Sequence, residues 1–315
     1  MRTRVLGRTG LEVSVVSLGS WLTFGGSVGA EESVACIRRA FELGVTLFDT
    51  ANVYERGGAE EVLGRALAAL PRGDVVVATK VFGEMGPGPQ DRGLGERHVR
   101  AQCEASLRRL GVDVIDLYQC HRYDPDTPLE ETCRVMDELV RAGRVRYWGV
   151  SEWTPAQMRE AVELCEREGL APPTTDQPRY SMLQREVERE VLPACAELGL
   201  GVLAFSPLAQ GVLTGKYRSV DDVPEGSRAT TESGAGFVAR FLNEPTLSRV
   251  AELRAIADSV GLPLSRVAIA WTLRRPEVTT AIVGATSLTQ IEENAAAAEV
   301  DLDEVVLERI DGALA

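Results

Sequence analysis

Residues 145–177 read VRYWGVSEWTPAQMREAVELCEREGLAPPTTDQ. An apolar run of strand length, Val145 to Ser151, is followed by Thr154 and Pro155, an N-cap residue and a proline at the first helical position. Apolar residues then recur at helical spacing to residue 168, Gly169 supplies a stop, and a short extended run follows at Thr174 to Gln177. Strand, helix and strand joined by short connections make the crossover unit of a parallel sheet.

The same unit repeats on both sides. Strand runs occur at Val15 to Leu18, Thr46 to Asp49, Val75 to Lys80, Val114 to Cys120, Gly201 to Phe205 and Thr280 to Val283. Helical patterns lie near 31–43, 59–69, 96–110, 128–142, 186–198, 246–274 (broken near Gly261 and Pro263) and 287–298, with Gly44, Gly111, Gly143 and Gly199 after helix ends. Segment 303–314 reads as a closing helix. Eight strand–helix units in series predict an α/β fold, a single (β/α)8 TIM barrel, and one domain over residues 1–315. Two irregular stretches, FGEMGPGPQDRGLG at 82–95 and residues 206–245, follow strands, so they extend the C-terminal face where barrel enzymes keep their sites.

A net charge of −13 without a basic stripe argues against nucleic acid as partner. The N-terminus has no apolar stretch behind its arginines and no run of about 18 apolar residues occurs, so the expectation is a cytoplasmic protein without a membrane partner. The six cysteines lack metal or redox spacing, and no metal is expected. Five fall in helical patterns as small core residues, and only Cys120, beside His121, invites a second reading as a reactive thiol.

Polar residues end the strands. Asp49, Lys80, Ser151 and Gln177 close the second, third, fifth and sixth runs, His121 follows the fourth, and Phe205 and Ser206 close the seventh. Any one of them could serve its own loop, but together they form a ring at the functional face. Tyr54 stands five residues beyond Asp49. A phenol with a pKa of about 10 gives up its proton reluctantly, a nearby Lys80 would lower that value, and Asp49 would hold the ammonium in place. His121 could donate to the same oxygen or relay the proton. His98, in the first turn of a helical pattern, is expected at the surface.

GPGPQDRG lacks the third glycine of a dinucleotide fingerprint, and GVLTGKY has only three residues between Gly211 and Gly215, so it is no P-loop. A glycine-rich loop carrying Lys216 can still wrap a pyrophosphate, and IVGATSLTQIEEN at 282–294 joins a strand, a glycine and a helix N-terminus into an anion site.

Taken in order, SLGSWLTFGG, LFDTANVYERGGAEEVLG, VVVATKV, RYWGVSEWT, FSPLAQGVLTGKY, GSRA and VGATSLTQIEEN resemble the aldo-keto reductase superfamily, closest in look to the branch that contains the potassium-channel β-subunits. The resemblance covers nearly the whole chain. It implies a barrel capped at its N-terminal end by a β-hairpin, an extended NADP(H), and NADPH-dependent reversible reduction of an aldehyde or ketone. Tyr54 would be the general acid, assisted by Asp49, Lys80 and His121. Ser20, Trp21 and Asp49 would lie beside the nicotinamide, Ser151 and Gln177 would hold its carboxamide, and Phe205 would stack on its ring. Ser206, Leu208, Gln210 and Lys216 would line the pyrophosphate, and Gly284, Thr286, Gln290, Glu293 and Asn294 the adenosine. Trp21, Tyr54, His121, Tyr123 and Trp153, with loops 82–95 and 218–245, would shape the pocket for a small-molecule carbonyl.

Several departures matter. Channel β-subunits generally carry Asn where this chain has His121 and Arg where it has Glu152, and His121 restores the tetrad of the enzymatic families. Phe205 replaces a Trp, and Thr286 a Ser. No cation lies between 284 and 294 to meet a 2′-phosphate, which leaves Arg228 as the candidate. The alternatives are a nucleotide-sensing regulatory subunit and, from the fold alone, a phosphate-binding lyase or isomerase. A homo-oligomer is allowed, because the branch resembled forms tetramers.

Overall fold

The computed structural model describes residues 1–26 and 28–314. Strands β1 (Thr3–Val5) and β2 (Glu12–Ser14) pair antiparallel, Arg4 opposite Val13. Eight further strands follow: β3 (Val16–Gly19), β4 (Leu47–Asp49), β5 (Val76–Val81), β6 (Ile115–Cys120), β7 (Val145–Val150), β8 (Thr175–Asp176), β9 (Gly201–Phe205) and β10 (Val278–Val283). All are parallel to their neighbours, and β9 and β3 flank β10 to close the barrel in chain order. The expected (β/α)8 barrel and its N-terminal hairpin are therefore both present.

The helices are α1 (Ala30–Glu42), α2 (Gly58–Leu67), α3 (Glu96–Leu110), α4 (Leu129–Arg141), α5 (Pro155–Glu168), α6 (Val191–Leu198), α7 (Ala235–Ala239), α8 (Glu244–Ser259), α9 (Leu264–Leu273), α10 (Leu288–Ala296) and α11 (Glu304–Leu314). At α5 the Thr154 hydroxyl accepts the Gln157 N–H, as its reading as N-cap suggested, and the Gln157 side chain in turn accepts the Thr154 N–H. The pattern at 186–198 is instead a 3₁₀ turn (Glu186–Glu188) followed by α6. Pro193 falls in the first turn of α6, where no N–H is required, but it cannot return a bond to the Arg189 carbonyl, so the helix does not extend back through that residue. Among the described residues no helix is long and apolar enough to cross a membrane.

Alternation along the strands decides which residues reach the site. Val77, Phe48, Tyr118, Val202 and Ala204 belong to the large core between sheet and helices, while Leu47, Val76, Ala78, Leu117 and Leu203 form the barrel interior with Leu6 and Val13 of the hairpin. Inward residues recur every second position. The next inward positions are Asp49 after Leu47, Lys80 after Ala78, Gln119 and His121 after Leu117, and Phe205 after Leu203. The apolar floor thus carries a polar upper layer. The hairpin sits tightly on that floor: Gly7 has φ +51°, and a Cβ there would lie 2.6 Å from the Thr174 carbonyl. Higher up, a Cβ on Gly149 would collide with the Thr175 hydroxyl across the interior.

Candidate active site

Lys80, fully buried, donates from Nζ to Asp49 Oδ2 at 2.6 Å and to the Thr50 carbonyl at 2.7 Å. The other Asp49 oxygen accepts from Gln177 Nε2 at 2.9 Å, and the Ser151 hydroxyl donates to the Gln177 carbonyl at 2.9 Å. Four strand ends are thereby tied into one network. Burial alone would depress the lysine, but Asp49 and Tyr54 outweigh it, so the Lys80 pKa rises and the ammonium is held charged.

Tyr54 sits in a short turn at Tyr54–Gly57, in which Glu55 and Arg56 adopt positive φ. Its hydroxyl lies 3.4 Å from His121 Nε2, the rings meet edge to face at 5.6 Å, and Lys80 Nζ is 5.1 Å from the phenol ring. Lys80 pulls the phenol pKa down as expected, but the net shift is upward. Burial is the largest influence and raises it, and Lys80 offsets that only in part. The hydroxyl therefore stays protonated at neutral pH. The expectation for His121 is corrected: burial, then Lys80 and Arg122, hold its pKa well below the usual imidazole range. It is neutral, so its contribution is a hydrogen bond from a fixed ring rather than a titration near pH 7.

These groups open into a cavity of about 1490 Å³ lined by Trp21, Asp49, Tyr54, His121, Ser151, Gln177 and Phe205 at one end and Gly284, Thr286, Gln290, Glu293 and Asn294 at the other. A small-ligand pocket commonly spans about 300–1,000 Å³. The volume suits a long ligand and a second small one. Between the ends lie Ser206, Leu208, Gln210, Lys216 and Arg228. Gln210 Nε2 donates to the Ser206 hydroxyl at 2.7 Å and its Oε1 accepts from Arg228 Nη1 at 2.6 Å. Ser206, Ala209 and Gln210 all have positive φ, the kind of strain that concentrates at binding loops. Among the described residues no carboxylate pairs with Lys216 or Arg228, and burial and then mutual repulsion lower the Lys216 pKa. Two cations facing the cavity, Lys216 exposed and Arg228 half-buried, with no carboxylate paired to them are suited to an anion.

At the far end the Gln290 Oε1 accepts from the Thr286 N–H at 2.9 Å, Asn294 Nδ2 donates to the Gly284 carbonyl at 3.3 Å, and Ser265 donates to Glu293. Trp21 meets Phe237 of α7 edge to face at 4.7 Å, and the Arg228 guanidinium lies 5.6 Å from the Trp21 ring. This contact ties the loop after β3 to the strap at 218–245.

Several expected wall residues lie elsewhere. Tyr123 and Trp153 pack edge to face at 4.9 Å outside the cavity lining, and Trp153 is buried in the large core. Ser20 stands behind the wall with its hydroxyl on Thr50. Loop 82–95 contributes nothing to the lining: Asp124, in the loop after β6, accepts the Leu94 N–H at 2.7 Å and Asp91 accepts that of Gly88, tying the loop to its neighbour and to itself. His98 is buried rather than at the surface, since that loop folds over it. Cys120 is fully buried and its thiol is pushed up by burial, which removes the reactive-thiol reading. Sequence reasoning missed Arg122 and Arg179, both in the lining. Parity could have found Arg179, the next inward position after Gln177, but not Arg122, which follows the inward His121.

The aldo/keto reductase family profile matches residues 15–315. A probable voltage-gated potassium channel subunit beta of Arabidopsis thaliana is 41% identical over 99% of this chain and 96% of its own length. The rice protein of the same name is 42% identical over 95% of this chain and 92% of its own. L-glyceraldehyde 3-phosphate reductase of Escherichia coli K12 is 36% identical over 93% of this chain and 86% of its own. With a whole-barrel match in sequence and a closed parallel barrel in structure, the chain belongs to the aldo/keto reductase family.

Proposed function

We propose that the protein reduces an aldehyde or ketone to an alcohol with NADPH. The observation that carries this reading is the convergence of Tyr54, His121 and the Asp49–Lys80 pair at the end of one elongated cavity, beside the Phe205 ring. Lys216 and Arg228, both in the cavity lining and without a carboxylate, fit the pyrophosphate of a dinucleotide, and Arg228 is the cation available for a 2′-phosphate. Gly284, Thr286, Gln290, Glu293 and Asn294 fit the adenosine, and Ser151 and Gln177 the carboxamide. Bound in this way, the cofactor supplies a hydride to the carbonyl carbon.

The residues do the rest. Tyr54, protonated at neutral pH because of its burial, passes its proton to the carbonyl oxygen as negative charge develops there. Lys80 stabilises the resulting phenolate, and Asp49 keeps Lys80 in position. Neutral His121 offers a further hydrogen bond to the same oxygen.

The test is NADPH oxidation with a carbonyl panel. Tyr54→Phe should lower kcat by about 10²–10⁴-fold, the usual contribution of a general acid, with NADPH affinity retained. No turnover by the wild type on any carbonyl, or equal turnover by the variant, refutes the reading. The channel-subunit relatives favour a second reading, a nucleotide-sensing subunit that holds NADPH without turnover. Tight retention with an inert carbonyl panel would establish that one.

A further inference from the structure

Two arginines that the mechanism does not use line the cavity beside the reacting groups. Arg122 follows His121, donates to the His121 carbonyl, and lies close enough to lower the pKa of both Tyr54 and His121. Arg179 lies with its guanidinium 5.2 Å from the centre of the Phe205 ring. The same carboxylate serves both: Glu152 is 3.0 Å from Arg122 Nη2 and 3.8 Å from Arg179 Nε. The longer contact leaves Arg179 Nε buried without a hydrogen bond. Glu152 itself has a φ of +54°, a left-handed conformation unfavourable for its side-chain type. Arg240, outside the cavity lining, feels the charge of Arg179 and also those of Glu152 and Glu186. Two guanidiniums in the cavity lining therefore share one carboxylate, with donors left over once Glu152 has been satisfied.

We propose that the substrate is a short carbonyl compound bearing an acidic group, a carboxylate or a phosphate, which Arg122 and Arg179 bind while Glu152 holds them apart from it. A guanidinium presents paired donors that match either oxyanion. The inference rests on the reductase reading above and names its substrate class. Glu152 acts as a competitor for the same donors, so it sets how strongly the acid group is preferred.

The experiment compares matched pairs with NADPH: succinic semialdehyde against butanal for the carboxylate, and glycolaldehyde phosphate against glycolaldehyde for the phosphate. The acidic member of at least one pair should be favoured in kcat/KM by about tenfold or more, the scale of one charge-assisted hydrogen bond, and the favoured pair identifies the group. Arg122→Gln and Arg179→Gln should each shrink that ratio, and Glu152→Gln should enlarge it, a gain that mere damage to the fold would not produce. Inorganic phosphate or acetate should also inhibit the wild type competitively against the aldehyde. Neutral aldehydes reduced as well as their acidic partners, with ratios unmoved in the arginine variants, would overturn the inference and leave the reductase reading standing. If no aldehyde of either kind oxidises NADPH, both fall together.

Discussion

Replacing Asp176 by Asn should change how stability depends on pH. Asp176 is the outward residue of β8, fully buried, and close enough to Cys195 on α6 for its charge to be felt there. Burial pushes its carboxyl up to about 8; the N–H groups of Trp153 and Gln177 pull the other way, yet neither oxygen has a full hydrogen bond. In the unfolded chain the same group titrates near 3.8. Below about pH 4 both states hold the proton and the group costs nothing. As pH rises toward 8 the unfolded state releases the proton and the fold does not, so the native state loses stability until its own pKa is passed. At about 1.36 kcal/mol per unit of pKa, that gap sets a ceiling of about 5–6 kcal/mol. Asn escapes the titration but buries an amide, at a cost of about 1–3 kcal/mol that does not vary with pH. The difference between variant and wild type is therefore the cleaner quantity. In urea unfolding it should move in the variant's favour by about 3 kcal/mol between about pH 5.5 and about pH 8.5. A difference that stays flat across that interval would show that Asp176 ionises in the fold as freely as in the unfolded chain.

Other perturbations probe the polar layer. Lys80→Met removes one partner of a buried pair and leaves Asp49 facing Gln177 alone, so urea unfolding should show a loss of about 3–5 kcal/mol together with a fall in kcat. For carbonyl reduction, kcat/KM should show no limb between about pH 6 and pH 8 that His121→Asn abolishes, because Tyr54 is protonated and His121 neutral throughout that range; a limb that vanishes in the variant contradicts this. Arg228→Gln should weaken NADPH far more than NADH in a fluorescence titration, by about tenfold or more if a charge-assisted contact to the 2′-phosphate is lost. Equal weakening of the two nucleotides would move Arg228 to the pyrophosphate.

The barrel was legible because its units are local. Thr154, Pro155 and Gly169 mark α5 without help from the rest of the chain, and alternation from Leu47 to Asp49 or from Ala78 to Lys80 says which face of the strand looks inward. What local pattern could not supply was folding back. His98 looks like a surface residue in its own helix, and only the loop over it makes it core. Trp153 and Tyr123 follow strand ends yet turn toward each other rather than the cavity. The acidity of Tyr54 was misjudged for a related reason: the sequence names the neighbouring cation but not the depth of the hydroxyl, and depth outweighs the cation. Arg122 and Arg179 were overlooked because a positive residue in a loop has many ordinary uses, and only their common partner Glu152 singles them out.

The hairpin beneath the barrel has a bearing on how a turnover cycle resets. Leu6 and Val13 join Leu47, Val76, Leu117 and Leu203 in a hydrocarbon stopper, so a hydronium ion finds no wet path upward from that end. In the proposed reduction, a phenol that had given its proton away would be recharged only from above, through the same opening by which the alcohol would depart. Clearing the vessel and rearming the acid would then share one gateway, and a product lingering there would delay both.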